Sequence, residues 1–394
     1  MRGWIKQMPS GSWRIAIDVG KDPATGRRLQ HFETIRGTKA SANKRLAELL
    51  IEIEKGGYVK TPRRLTVAEY LHDWLTNHAG LNCRAVTAEG YKYRIDHYLC
   101  PVLGQIPLGT LRAQHISKYL SNRIQQGQSA RSALHDYRLL HKAFADGVKL
   151  GILAINPCDG VQPPKPLDKE MSFLTPAAIS VFLTHAEKAP FPYGVLFHCM
   201  LYTGLRRSEA LGLTWRNVDL DLKTLTVTQT QHRLTGGKFV LQPPKTKNSR
   251  RVIDLPDSLR EVLQTYKRNV EDQRLLLGAP LADSDLVFVH IDGSPLDPST
   301  VSHEFLKIAR QAGLQIRLHD LRHTYATIML AAGVNVKALS QSLGHSNVSI
   351  TLEIYSHLLP GTGKSAAEQF DKLLNPYQKK DVARKSVAIP LLNQ

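Results

Sequence analysis

The stretch "NPCDGVQPPKPLDKE" (156–170) carries four prolines, and it constrains this chain more than any other segment. Proline fixes φ, removes a backbone donor and pushes the preceding residue out of the helical region, so neither helix nor central strand can run through it. A 394-residue chain is also too long for a single core. The segment therefore reads as an interdomain linker. A second, shorter break is "VKTPRRLTV", a basic linker with one proline. The two breaks predict domains over 1–64, 65–165 and 171–375, with a tail over 376–394.

The composition is that of a soluble protein, 42% hydrophobic and 22% charged. No run approaches the ~20 apolar residues of a membrane span, so no membrane partner is expected. The start, "MRGWIKQMPSGSW", is charged and lacks the apolar stretch of a secretory signal. Four cysteines (Cys83, Cys100, Cys158, Cys199) stand far apart with no Cys-x-x-Cys pair, which fits a reducing cytoplasm and no structural zinc. The 52 Lys+Arg against 34 Asp+Glu leave a formal charge of +18, of which +8 lies in residues 1–64. A polyanionic partner heads the list.

The first segment predicts a small sheet and a helix. "GSWRIAIDVG" sets Trp13, Ile15, Ile17 and Val19 against Arg14, Ala16 and Asp18, the period of a half-buried strand. "KDPATGRR" supplies a turn and "LQHFETIRG" a returning strand. "TKASANKRLAELLIEIEKGG" places Leu46, Leu49, Leu50 and Ile53 on one helical face and stops at Gly56-Gly57. Arg14, Arg27, Arg28 and Arg36 decorate the sheet and its turns. A basic three-stranded sheet of this kind can enter a major groove. From 65 to about 160 the text is helical, with Thr66 and Thr87 as N-caps and Gly104, Gly127 and Gly151 as stops. Lys92, Arg94, Arg123, Arg131, Arg138 and Lys142 lie on its faces, suited to phosphate contacts. After the linker, Thr175 as N-cap with Pro176 behind it opens a mostly helical domain. β-Rich text interrupts it near 223–255.

Four stretches of this last domain carry chemical groups: "YTGLRRSEALGL" (202–213), "PPKTKNSRRVIDLP" (243–256), "RLHDLRHTYAT" (317–327) and "LGHSNVSITLEIYSHL" (343–358). His319 and His323 have the i, i+4 spacing of a zinc pair. However, Asp320 stands where a hydrolytic zinc motif has Glu, and a cation at Arg322 opposes a metal, so none is expected. His319 and Arg322 at i, i+3 can instead both donate to one phosphate oxygen. Of Arg206 and Arg207 only one can point inward, and Glu209 can hold the Arg206 guanidinium or cap the helix starting near Ser208. Lys245 and Lys247 sit on a predicted hairpin connection. Two arginines, two histidines, a lysine and a tyrosine meet the needs of phosphoryl transfer between DNA strands without a metal.

In identity, order and spacing these stretches resemble the tyrosine recombinase (phage integrase) family. The match is an Arg after "TGL", a Lys on a β-hairpin, His-x-x-Arg, and "LGH" followed ten residues later by Tyr in "Y-S-H". The resemblance implies a multidomain fold: a small α+β N-terminal domain (three-stranded sheet plus helix), an all-α core-binding domain, and a mainly α catalytic domain with a β-hairpin insertion. It implies Tyr355 as nucleophile, forming a 3′-phosphotyrosyl link. Arg206 and Arg322 would clamp the phosphate, His319 assist removal of the tyrosine proton, His345 hydrogen-bond the phosphate, and Lys245 (or Lys247) protonate the leaving oxygen. Glu209 would buttress the site, His323 is left either to support the catalytic residues from behind or to packing, and His357 to a structural role. No cofactor is implied. The implied partners are double-stranded DNA at core and arm sites and three further copies of the chain in a tetramer, with room for a host DNA-bending protein and a directionality factor. "SAAEQFDKLLN" (365–375), with Ala366, Phe370, Leu373 and Leu374 on one face, would be the helix exchanged between protomers. A regulator without catalysis and a type IB topoisomerase are the alternatives.

Overall fold

The computed structural model describes residues 3–21, 28–54, 65–167, 171–244, 246–355, 367, 368 and 370–372. It divides into two compact units, Met1–Lys169 and Glu170–Gln394. Among the described residues no helix is long and apolar enough to cross a membrane.

The first unit opens with an antiparallel sheet in the order β1 (Gly3–Gln7), β2 (Trp13–Lys21), β3 (Arg28–Ile35), followed by α1 (Lys39–Glu54). The alternation in β2 works as the period predicts: Ile15 and Ile17 are fully buried and pack with Ile5, Ile35, Leu46 and Leu50 around Leu49 of α1. The opposite face is open. There the register aligns Trp4, Ala16 and Phe32 in one row and Lys6, Arg14 and Thr34 in the next. Trp4 and Phe32 are about half exposed and enclose the buried Ala16. The first strand, "GWIKQ", is too short to show a period by itself. Gly56 and Gly57 lie outside the described residues, as does the side chain of Ile53.

The rest of this unit is helical: α2 (Val67–Trp74), α3 (Gly80–Asn82), α4 (Ala85–Arg94), α5 (Cys100–Leu103), α6 (Ala113–Gln125) and α7 (Ala130–Lys149). Single π-turns, Leu75–Ala79 and Ile95–Leu99, join α2 to α3 and α4 to α5. Thr66 caps α2 in a full capping box with Glu69. Thr87 does not cap: Cys83 and Arg84 are both extended and the backbone turns helical at Ala85, so Arg84 holds the N-cap position of α4 and Thr87 lies inside its first turn. Gly127 and Gly151 follow α6 and α7 in the left-handed conformation. Tyr70, Trp74, Ile95, Tyr119, Leu140 and Phe144 form the core.

Two of the predicted phosphate contacts turn inward here. Asp136 is fully buried and accepts from Arg94 (2.5 Å), Arg123 (3.3 Å) and the Tyr119 hydroxyl (2.9 Å). Arg123 is only 8% exposed and lies over the Tyr98 ring. A guanidinium released from Asp136 would leave a buried carboxylate unpaired, so both arginines are committed to the core. Lys92, Arg131, Arg138 and Lys142 are exposed, Lys92 beside Asp96 (2.8 Å) and Lys142 beside Asp146 (2.9 Å).

The second unit packs α8 (Pro176–Glu187), α9 (Tyr193–Thr203), α10 (Arg207–Leu211), α11 (Asp257–Leu276) and α12 (Pro298–Gln311) around the apolar α9. α13 (Asp320–Ala331), α14 (Val336–Leu343) and α15 (Val348–Tyr355) complete it. Thr175 caps α8 through the Ala178 amide, with Pro176 in its first turn. Between α10 and α11 lie a sheet of β4 (Val218–Asp219), β5 (Thr224–Val227) and β8 (Arg251–Asp254), and a hairpin of β6 (Thr230–Arg233) and β7 (Phe239–Gln242). The stretch holding Lys245 and Lys247 therefore does not join paired strands. It leaves β7, which pairs with β6, and enters β8, which pairs with β5.

Candidate active site

Four helix ends meet at one place. Gly204 ends α9 at φ +62°, where a Cβ would stand 2.6 Å from the Tyr325 ring. The turn delivers Arg206 to the start of α10. Glu209 caps that start, accepting the Arg206 amide (3.0 Å), and also takes the Arg206 guanidinium (2.7 Å), so both sequence-level uses of this carboxylate coexist. The helix begins at Arg207, one residue before expectation. Arg207 points away from this centre, donating to the Pro298 carbonyl and Ser302 hydroxyl of α12. With Arg317, His319 and Met200 it lines a cavity of about 380 Å³.

Arg322 is 3% exposed and ties two helix ends together, donating to the carbonyls of Gly204 (2.7 Å) and Leu343 (2.6 Å). Both oxygens lack helical partners, and the guanidinium supplies them. Arg206 reaches the next carbonyl, Gly344, at 3.4 Å. The two guanidiniums thus grip adjacent carbonyls of the turn that ends α14. Burial and the nearby Arg206 pull Arg322 below the ordinary arginine range, yet it stays charged at neutral pH.

Arg251 of β8 is a residue that sequence reasoning passed over. It is 9% exposed and shares Glu209 with Arg206, at 2.9 Å and 3.3 Å, while its Nε donates to the Ser342 carbonyl (2.5 Å). Burial alone would raise the Glu209 carboxyl, but Arg251 and then Arg206 outweigh it and hold it at about 2. Gly344 sits against this arginine at φ +65°, and a Cβ there would meet Arg251 Nη1 at 2.8 Å. The left-handed turn then presents His345, whose Nδ1 pairs with the buried Thr351 hydroxyl (2.8 Å). Burial, with Arg322, Arg206, Arg251 and His319 around it, pushes His345 down to about 4.

His319 opens α13 at the rim of the site, with its outer edge in solvent. Burial of its inner edge, His323, Arg322 and Arg206 lower its pKa, so it is neutral at pH 7. Its ring stands edge-on to His323, centroids 4.9 Å apart. Tyr355 ends α15 with 2% exposure, among Ala326, Leu330, Leu339 and Leu343. Its hydroxyl is bonded not to His319 but to His323 Nδ1, at 2.8 Å. Burial raises Tyr355 to about 12, against the pull of Arg322. His323, left from sequence to a supporting or a packing role, is thus the direct hydrogen-bond partner of Tyr355. The i+4 step from His319 was the available signal, because it puts both rings on one helical face.

Lys245, the alternative Lys247 side chain, His357, Arg27, the Arg28 side chain, residues 376–394 and most of the 365–375 helix lie outside the described residues; Phe370 within that helix is 65% exposed. Arg14 and Arg36 are exposed.

The chain matches the model of the phage integrase family over residues 172–361 and that of its N-terminal SAM-like domain over 66–122. The first contains every catalytic candidate named above. The chain belongs to the phage integrase family. This integrase chain is 29% identical to a XerC-like tyrosine recombinase of Caldanaerobacter subterraneus, over 92% of its own length and 96% of the relative's. It is 25% identical to the ICEBs1 integrase of Bacillus subtilis, covering 94% and 100%. The integrase of the transposon Tn1549, solved with a circular intermediate DNA, superimposes with a TM-score of 0.67 over 78% of this chain and 99% of that one, at 24% identity. A lambda integrase dimer on a core site gives 0.56, at 18% identity over 89% and 93%. The architecture is therefore that of the tyrosine recombinases, and the chain is an enzyme of that type.

Proposed function

We propose that this integrase is a site-specific DNA recombinase that cuts and rejoins DNA through a 3′-phosphotyrosyl intermediate and moves a mobile element into or out of a chromosome. The observation that carries the reading is the convergence of Arg206, Arg322, His345 and His319 on one centre beside Tyr355. Two guanidiniums are pre-held by protein carbonyls and by Glu209, so little reorganisation is needed when a phosphate arrives. Arg206 and Arg322 grip its non-bridging oxygens, and the neutral His345 donates from Nε2 while Thr351 holds Nδ1. Tyr355 attacks phosphorus, the bond to the 5′-oxygen breaks, and Lys245 protonates that oxygen. The phosphotyrosyl bond conserves the energy of the phosphodiester, so a second strand end can reverse the step without ATP.

The same reading assigns residues 1–64 to arm sites, 65–165 to core DNA and 171–375 to catalysis, with four copies acting on two paired sites. The open face of the N-terminal sheet supports the first assignment: Lys6 and Arg14 offer phosphate contacts beside the exposed Trp4 and Phe32. Arg36, Arg131, Arg138, Lys92 and Lys142 remain contact candidates by their exposure.

A nicked suicide substrate, which loses a short fragment after cleavage and so traps the adduct, provides the test. Wild-type protein is expected to form a covalent protein–DNA band and Tyr355→Phe none. An adduct from the Phe variant would remove Tyr355 as nucleophile. Failure of the wild type on its own attachment DNA would favour a non-catalytic regulator, and relaxation of supercoils without site pairing a topoisomerase.

A further inference from the structure

The family-derived scheme gives the tyrosine proton to His319, but the bonding points elsewhere. We propose that His323 Nδ1 is the catalytic proton acceptor of Tyr355, an inference that rests on the recombinase reading above. The hydroxyl and Nδ1 are already 2.8 Å apart, within the reach required of a general base. His319 makes no hydrogen bond to Tyr355 among the described residues; its ring braces His323 edge-on.

The environment suits an acceptor. His323 is 9% exposed and burial lowers its pKa, which favours the neutral ring; in the tautomer protonated at Nε2, Nδ1 accepts from the Tyr355 hydroxyl. The charged groups acting on it are Asp320, which favours a proton, and Arg322 and Arg317, which oppose one. Asp320 is 1% exposed and fixed by Arg317 (2.9 Å), so its negative charge stays close to the imidazolium as it forms. A tyrosine held at about 12 supplies almost no phenolate by itself at pH 7. In the proposed step the Oη–P bond forms as the Oη proton passes to Nδ1, the P–O5′ bond breaks, and O5′ is protonated by the acid of the reading above. Rejoining runs the same steps backwards, with His323 returning the proton to Tyr355.

The test uses the full chain and a suicide substrate. His323→Asn places an amide oxygen where Nδ1 stands, so it keeps an acceptor for the hydroxyl but cannot take its proton. Cleavage by this variant should slow by about 10²–10⁴-fold, the ordinary worth of a general base, with DNA affinity unchanged. Its rate should climb steadily with pH above 7, as Tyr355 ionises unaided, while the wild-type rate is level there. A substrate with sulfur at the 5′-bridging position has a leaving group that needs no proton, and the variant should remain slow on it.

Wild-type speed in His323→Asn would reduce the bond to positioning and overturn the proposal. A faster variant would make the bond a restraint on the nucleophile, and rescue by the sulfur substrate would move His323 to the leaving-group side; either result overturns it. Should the variant fail to fold, the wild type still decides, through ¹⁵N-histidine NMR. Nδ1 must be the unprotonated nitrogen at pH 7, and a proton found there refutes the role. Absence of any wild-type adduct would instead defeat the recombinase reading itself.

Discussion

Glu209 serves two guanidiniums and one amide, and this is why a single carboxylate can order so much of the site. Replacing it by glutamine keeps the shape but leaves the buried Arg251 without its counter-charge. Breaking such a pair costs about 3 kcal/mol, so Glu209→Gln should unfold at correspondingly lower urea, and its cleavage rate should fall because Arg206 loses its tether. The pH dependence has a definite sign. The folded carboxyl, at about 2, is depressed below its ordinary value of 4.5. Its contribution is therefore present above pH 4.5 and is lost as the pH falls toward 2. Wild type should lose stability in that window, and the glutamine variant should lack this increment. At this scale the sequence was informative wherever identity and spacing were enough. Arg206, Arg322, His319, His345 and Tyr355 stand in motifs, and each reaches the site. Arg251 was not legible, because its role depends on Glu209, 42 positions earlier, and on the Ser342 carbonyl of α14, 91 positions later. His323 was visible as a residue but not as a partner, since its bond depends on where α15 ends. Arg94 and Arg123 misled for the converse reason: charge count does not reveal a buried Asp136.

The turn that ends α14 illustrates what whole elements contribute. Gly344 is left-handed and lies against Arg251, whereas Gly313, after α12, is equally left-handed with open space around it. Alanine at either position costs about 1–2 kcal/mol in the backbone. Only Gly344→Ala must also displace the Arg251 guanidinium, next to the carbonyls that Arg206 and Arg322 hold. Suicide-substrate cleavage should thus fall by at least about tenfold in Gly344→Ala, for roughly 1.4 kcal/mol of lost transition-state stabilisation, and stay near wild type in Gly313→Ala. Helix starts with side-chain caps, at Thr66 and Thr175, could be placed from sequence. α4 could not, because Arg84 makes no side-chain cap and Thr87 drew the boundary three residues late. The strand text at 223–255 was recognisable by composition. Its division into a sheet and a separate hairpin was not, because pairing partners are fixed by register rather than by local propensity.

For the whole molecule, the formal charge of +18 overstates what DNA would meet, since some cations are committed internally to Asp136 and Glu209. The open sheet face is a better guide. Lys6→Ala with Arg14→Ala should weaken arm-site binding and lower the slope of log affinity against log salt by about 2, one unit for each phosphate no longer neutralised. Fluorescence anisotropy at several salt concentrations reads this directly, and an unchanged slope would remove that face from the interface. Core-DNA cleavage should be unaffected. The division of labour around Arg322 has a practical corollary for anyone who needs a disarmed recombinase that still assembles on DNA. That arginine fastens the ends of α9 and α14, so its loss would loosen the scaffold along with the chemistry, and a dead Arg322 variant would confuse injury with inactivity. Tyr355 fastens nothing through its oxygen except His323, which makes phenylalanine at that position the cleaner tool for trapping assemblies before the first cut.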